Sequence, residues 1–421
     1  MSGMPRPLVR SVTSPPGRFR AWLVVGLLFL VVCSNFLTRY MLPTMRGSIV
    51  QSIPMTDAQF GLLSSCFLWV YGLASPFAGF LADRYSRSRV ILCSLLAWSI
   101  ITWLTSYATT FGQFLTMRML MALSEVAYVP AGMALIADYH PGATRARATG
   151  LHQAGISAGA MLGGLGGWLA QWHSWRYAFA TIGLASLGYG IVLVFFLRDA
   201  PRAGAVPTSG TTLVEPHARL SASLRSLFSS PSFILLLLTI CFLGGSAWVI
   251  LGWLPTFLAE TFRLGQGAAG FSATGYLSAA GILGLIVAGI WSDRWSRRNE
   301  RARVFVSVIG LTLAAPALLL AAMTSSLWLA IVGLMLCGFM RALSDANVMP
   351  ILCLTVDPRY RATGYGLLNL ASTFTGGVLI YAAGALRDHR VPLRQAIIGA
   401  AAAQLCCVAL LLLIKPLRTR S

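Results

Sequence analysis

Twelve long apolar stretches, separated by short polar turns, set what this chain can fold into. They fall at 21–49, 58–82, 90–107, 112–139, 148–171, 177–197, 233–261, 269–292, 304–324, 327–356, 362–386 and 393–415. Each is long enough to cross a hydrocarbon layer of roughly 30 Å with about 20 helical residues. The stretches are continuously apolar, which predicts helices; a barrel strand would alternate in and out over about ten residues. Composition agrees, with only 10% charged residues against 57% hydrophobic. A soluble domain, about 25% charged on average, could not be clothed so sparsely. The expectation is an all-α membrane protein of twelve transmembrane helices.

The net charge of +20 would suggest nucleic acid in a soluble protein. Here its distribution speaks of topology. When the loops are assigned to alternate sides, 23 of the 32 basic residues fall on the side of both termini. Six (Arg46, Arg176, Arg263, Arg387, Arg390 and Arg394) fall on the other, and Arg39, Arg118 and Arg341 lie within spans. The positive-inside rule then makes both termini cytoplasmic, as in a bacterial inner membrane, with no nucleic-acid partner. The first stretch follows a basic tail and lacks a small-residue cleavage pattern, so it reads as a retained span. The eight cysteines lie in spans at no metal-ligand spacing. No phosphate-binding loop and no Ser/His/Asp arrangement stands out. No cofactor, metal or enzymatic chemistry is expected.

The chain repeats itself. Gly79-Phe80-Leu81-Ala82-Asp83-Arg84-Tyr85-Ser86-Arg87 after the second span is echoed by Gly289-Ile290-Trp291-Ser292-Asp293-Arg294-Trp295-Ser296-Arg297 after the eighth. Ala122-Leu123-Ser124-Glu125 with Pro130 in the fourth span is echoed by Ala342-Leu343-Ser344-Asp345 with Pro350 in the tenth. Arg145-Ala146-Arg147-Ala148-Thr149-Gly150 is echoed by Arg359-Tyr360-Arg361-Ala362-Thr363-Gly364. Six spans per half put both halves in the membrane in the same orientation, as parallel repeats with a cavity between them. The domains expected are a basic tail at 1–20, a six-helix bundle at 21–197, a linker at 198–232, a second bundle at 233–415 and a short tail at 416–421. Within the linker, 217–229 reads either as a short amphipathic surface helix or as solvated chain.

These motifs resemble the major facilitator superfamily over essentially the full length. The loop after the second span is similar to its signature G-x-L-a-D-R-x-G-R-R/K, departing from it at Ser86 and Ser88. The resemblance implies that two pseudo-symmetric six-helix bundles alternate access to a central site. It also implies that the first, fourth, seventh and tenth helices line that site. Asp83 and Asp293 then stand at helix ends, with Arg87 and Asp138, and Arg297 and Asp357, as partners for latches on the side of the termini.

Buried charge is the stronger clue to substrate, since an ionisable group at mid-bilayer costs roughly 2.5–3.5 kcal/mol on insertion scales. Arg118 and Glu125, seven residues apart, share one helix face about 10 Å apart along the axis. Arg341 and Asp345 stand at i, i+4, close enough to pair. Arg39 lies late in the first span beside Asn35, Thr38 and Tyr40. Glu125 has no cation at i±3 or i±4, which makes it the candidate proton carrier. The Arg341–Asp345 pair reads either as part of that coupling or as self-neutralising. Arg39 and Arg118 favour an anion, since a planar guanidinium suits a carboxylate or phosphate. Arg39 with Arg118 and Glu125 resembles the anion:cation symporters, proton-linked organic anion carriers, though Thr38 stands where they often carry an acid. Asp83-Arg84-Tyr85 and the context of Glu125 are also similar to spinster-like lipid carriers. Tyr71, Tyr128, Trp248, Asn347 and Asn369 complete the candidate binding set. Trp69, Trp253, His152 and Gln153 are weaker, with His152 expected as a solvated residue near a helix start. The chain is therefore expected to be a monomeric proton-coupled symporter of a small organic anion. The rivals are a proton-coupled exporter of an amphipathic compound and a transporter-like sensor.

Overall fold

A computed structural model of the chain describes residues 18–140, 144–200 and 220–414. Within these, the side chains at 18, 82, 83, 146, 220–223, 358 and 362 lie outside the description. The described residues are helical throughout, with no strand among them. Eleven helices are long and apolar enough to cross a membrane. The remaining expected span, the fifth, is two shorter helices, Arg145–Leu162 and Leu165–Trp172, meeting at Gly163-Gly164. Its polar start and its glycines keep it below the apolarity of the rest. Twelve crossings result, and they carry the chain from one face to the other and back six times.

Proline sets several of the interruptions. In the fourth span, helix Phe111–Glu125 ends at Glu125 and resumes as Tyr128–Tyr139. In the tenth, Leu327–Asp345 ends at Asp345 and resumes as Val348–Thr355. Pro130 and Pro350 lack the N–H that would bond to the carbonyl four residues back, at Val126 and Ala346. The repeated acids thus sit at the same break in each half. The first span ends at Thr44, just after Pro43, and the stretch expected to continue to 49 turns into a separate helix, Arg46–Ser52. Part of the 217–229 stretch is helical, as Leu220–Phe228, and Leu227 packs beside Phe233 in the second bundle. Residues 1–17, 201–219 and 415–421, most of the expected tails and linker, lie outside the described residues.

Two helix pairings dominate the junction of the halves. The second span (Asp57–Arg84) packs along the eleventh (Arg361–Asp388), and the fifth along the eighth (Gln266–Ser296). The repeat exchanges these pairs, as expected for halves related by an axis along the membrane normal. Glycine makes the close approaches possible: a Cβ on Gly159 would stand 2.3 Å from the Cys33 carbonyl of the first span. One buried apolar cluster runs across both halves, from Met41 and Phe67 to Ile250 and Ile397. Toward the termini the cores are separate, around Trp98 and Tyr128 in one bundle and around Phe233 and Leu352 in the other.

Candidate functional site

The two bundles meet at a cluster of buried charge. Arg39, four residues before Pro43 on the first span (Arg18–Thr44), reaches across to the fourth. Its Nη2 donates to Glu125 Oε2 at 2.9 Å, and both side chains are buried. The unpaired Glu125 expected from i±3 and i±4 spacing is therefore corrected: its partner comes from another helix. Three rings enclose the guanidinium, with Phe36 and Phe67 at 4.7 Å and Tyr71 at 4.8 Å from its carbon. Arg39 Nε is buried with no hydrogen-bond partner.

Arg118 approaches the same Phe67 ring, 4.7 Å from its centroid. Its Nε donates to the Leu63 carbonyl at 3.3 Å, and Met121 Sδ lies 3.3 Å from Nη1. Among the described residues no carboxylate forms an ion pair with it. Two guanidiniums on one ring thus differ sharply: Arg39 is neutralised and Arg118 is not. Each cation–π contact is worth about 0.5–2 kcal/mol, more where water is excluded, which holds both cations in place without neutralising either.

A cavity of about 20 Å³ opens between Arg39, Arg118, Phe67, Tyr40 and Trp248, room for roughly one water. Beyond it lies a larger cavity of about 360 Å³, toward Arg341, Asp345 and Ser372. Tyr40 and Trp248 line both, their rings stacked at 6.3 Å. Arg341 Nε and Asp345 Oδ2 are 3.5 Å apart at the wall of the larger cavity, and Arg341 Nη2 also donates to the Leu243 carbonyl. The larger cavity is of the size that holds a small ligand. Tyr40 and Phe67 are among the lining residues that sequence reading missed. The signal was present, with Tyr40 next to Arg39 and Phe67 one turn before Tyr71.

Several candidates prove to sit elsewhere. Tyr128 is sealed within the first bundle, its hydroxyl donating to the Leu28 carbonyl at 2.9 Å and 3.0 Å from His152 Nε2. His152 is fully buried there rather than solvated. Asn347 braces the eighth span to the tenth, donating to Ser292 Oγ at 2.9 Å. Asn369 is half-buried on the eleventh span and lines neither cavity. Trp69 donates to the Phe374 carbonyl and Trp253 to the Ile380 carbonyl, so both serve packing.

Of the two expected latch pairs, one is formed. Arg87 pairs with Asp138 within the first bundle and ties the third span to the fourth. Asp293 takes Arg303 at 2.8 Å rather than Arg297, which is exposed. Asp357 closes its own turn by accepting from Arg359 N, and among the described residues it forms no ion pair with Arg297. The side chain of Asp83 lies outside the described residues. One of the two departures in the signature loop has a local use: the Ser86 hydroxyl donates to Asp199, which also accepts from the backbone amide of Ser88.

Twelve helices in two exchanged halves, enclosing a central cavity with buried charge, define a membrane carrier. The sequence pattern of the Major Facilitator Superfamily matches residues 28–380, and the chain belongs to that family. It is a transporter, not an enzyme. It is 26% identical over 370 residues to the "Probable sulfoacetate transporter SauU" of Cupriavidus necator, covering 85% of each chain. It is 26% identical over 378 residues to "Protein spinster homolog 1" of Xenopus laevis, covering 85% of this chain and 71% of that protein. Its fold matches a crystal structure of a bacterial homolog of the human lysosomal transporter Spinster, with a TM-score of 0.81 and 21% identity over 95% of this chain and 97% of that one.

Proposed function

We propose that this chain is a proton-coupled symporter of an organic anion, a carboxylate, sulfonate or sugar acid, in which Glu125 and the substrate compete for Arg39. The observation that carries this reading is the buried Arg39–Glu125 pair at 2.9 Å beside the unpaired Arg118. With Glu125 ionised, the charge of Arg39 is balanced and an incoming anion finds one guanidinium without a carboxylate partner. A proton on Glu125 removes its charge, frees Arg39, and gives the anion two. Proton and anion therefore favour each other's binding, and the coupling is reciprocal. Arg341 and Asp345, at the far wall of the larger cavity, neutralise each other until substrate arrives. Arg87, Asp138, Asp293 and Arg303 order the loop ends on the side of the termini, which the 23:6 asymmetry of basic residues makes cytoplasmic in a bacterial plasma membrane. The two halves supply both gates of an alternating-access cycle within one chain, so a monomer suffices.

The likeness to a protein named as a sulfoacetate transporter supports an anionic substrate. One observation favours a second reading, export of an amphipathic compound: apart from Arg341 and Asp345 the 360 Å³ cavity is lined mainly by apolar and small residues. Proteoliposomes containing the purified protein decide between them. Labelled sulfoacetate, a sugar acid and a lysolipid are offered with an acidic exterior. The symport reading expects pH-driven accumulation of an anion, lost in Glu125→Gln while exchange of anion at equal pH persists. Accumulation by Glu125→Gln equal to the parent's removes the coupling role. Transport of the lysolipid alone turns the assignment to the second reading.

A further inference from the structure

The bundles are joined at one end. Hydrogen bonds and ion pairs between described residues of the two halves come from 48–69 and 161–171 on one side and from 266–274 and 374–388 on the other. All lie in the middle of the bundles or toward the face opposite the termini.

At that face four charged side chains form one cluster. Asp57, the first residue of the second span, pairs with Arg46 of its own half and with Arg387 Nε of the other at 2.7 Å. Arg387 Nη2 in turn holds Glu260 Oε1 of the seventh span at 2.5 Å. The neighbouring Asp388 reaches across the same seam. Its two carboxylate oxygens accept from the backbone N–H groups of Asp57 and Ala58, each at 2.9 Å. These are orphan amides of a helix start, where a negative charge also meets the positive end of the helix dipole. Thr56 caps the same helix from within its half, so the helix is capped once in cis and once by the opposite bundle. The seam is shaped for this contact, since a Cβ on Gly384 would stand 2.3 Å from the Asp57 carbonyl. A second seam nearby ties Gln266 to Ser48 and Gln171 to the amide of Gly267.

We infer that Asp57, Arg387 and Asp388 form a latch that holds the face opposite the termini closed in this state and is broken once in each transport cycle. Arg46 and Glu260 orient the latch from within each half. Arg46, Asp57 and Arg387 are mostly shielded from solvent, so their pairs are stronger than an exposed surface pair, while Asp388 is exposed and holds through two charge-assisted bonds to backbone amides. Charge-assisted bonds that link two bodies only in one conformation stabilise that conformation alone, which is what shifts a two-state equilibrium.

The test is pulsed electron paramagnetic resonance distance measurement on the full chain in lipid nanodiscs. Spin labels go at Gln51 and His389, both exposed on this face, in a background with the native cysteines replaced by serine. A second label pair, Gln51 with Thr109, lies within one bundle and reports whether it stays intact. Asp388→Asn and Arg387→Gln are each expected to raise the long-distance population at least threefold over the parent. Arg303→Gln, which breaks the Asp293 pair inside one bundle, is expected to leave it unchanged. An unchanged distribution in both latch variants, with the within-bundle distance native, overturns the inference. So does an equal shift in Arg303→Gln.

Discussion

Removing Arg39 alone leaves Glu125 fully buried without its cation. Breaking a buried pair this way costs about 3–5 kcal/mol, whereas replacing both members by apolar residues of similar volume is often close to neutral. Arg39→Met is therefore expected to lower thermal stability in detergent more than Arg39→Met/Glu125→Leu does, and equal losses would show that the pair is not coupled. Tyr128→Phe provides a contrast. It removes the hydroxyl bond to Leu28 and should cost about 0.5–1.5 kcal/mol while leaving anion selectivity in competition assays untouched. The buried charges were legible in the sequence because lipid makes each one conspicuous. Their pairing was not. Within one helix, Glu125 has no cation in reach, and its partner stands 86 residues away on the first span. Tyr128 and Asn347 were misplaced for a related reason. Spacing locates a residue along a helix, but whether it faces the cavity or a neighbouring helix depends on how the helices pack.

The fifth span shows what glycine does between packed helices. Gly159 lies against the first span, where a Cβ would meet the Cys33 carbonyl at 2.3 Å, while Gly26 has nothing within 4 Å. Gly159→Ala is expected to destabilise by about 1–3 kcal/mol, the cost of overpacking. Gly26→Ala should stabilise by about 0.5–1 kcal/mol through helix propensity. Thermal denaturation of both variants checks the difference, and the reverse order would contradict the packing described. The elements themselves were well marked in the sequence, since a span in lipid must be apolar and must satisfy its backbone internally. Pro130 and Pro350 also mark the breaks beside the two acids. The break at Gly163-Gly164 was not marked, because glycine tolerates continuous and interrupted helix alike.

Across the whole molecule, the repeat legible at Asp83 and Asp293 identified two equivalent halves and hence a carrier. It could not reveal which end is closed. The inferred closure rests on contacts such as Asp388 with Ala58, which join positions 330 residues apart. The expectation of latches near the termini drew on the motif loops, whose described ion pairs in this state stay within one bundle. The central claim remains at the junction of the halves: a proton on Glu125 frees Arg39 for the anion. Calorimetric titration of the transported anion at successive pH values tests it most directly. Protonation of Glu125 precedes full anion contact, so affinity should rise as pH falls. The limit is about tenfold per pH unit for one linked proton, and the dependence should vanish in Glu125→Gln. A parent affinity independent of pH, or a Glu125→Gln variant that keeps the parent's slope, would contradict the account.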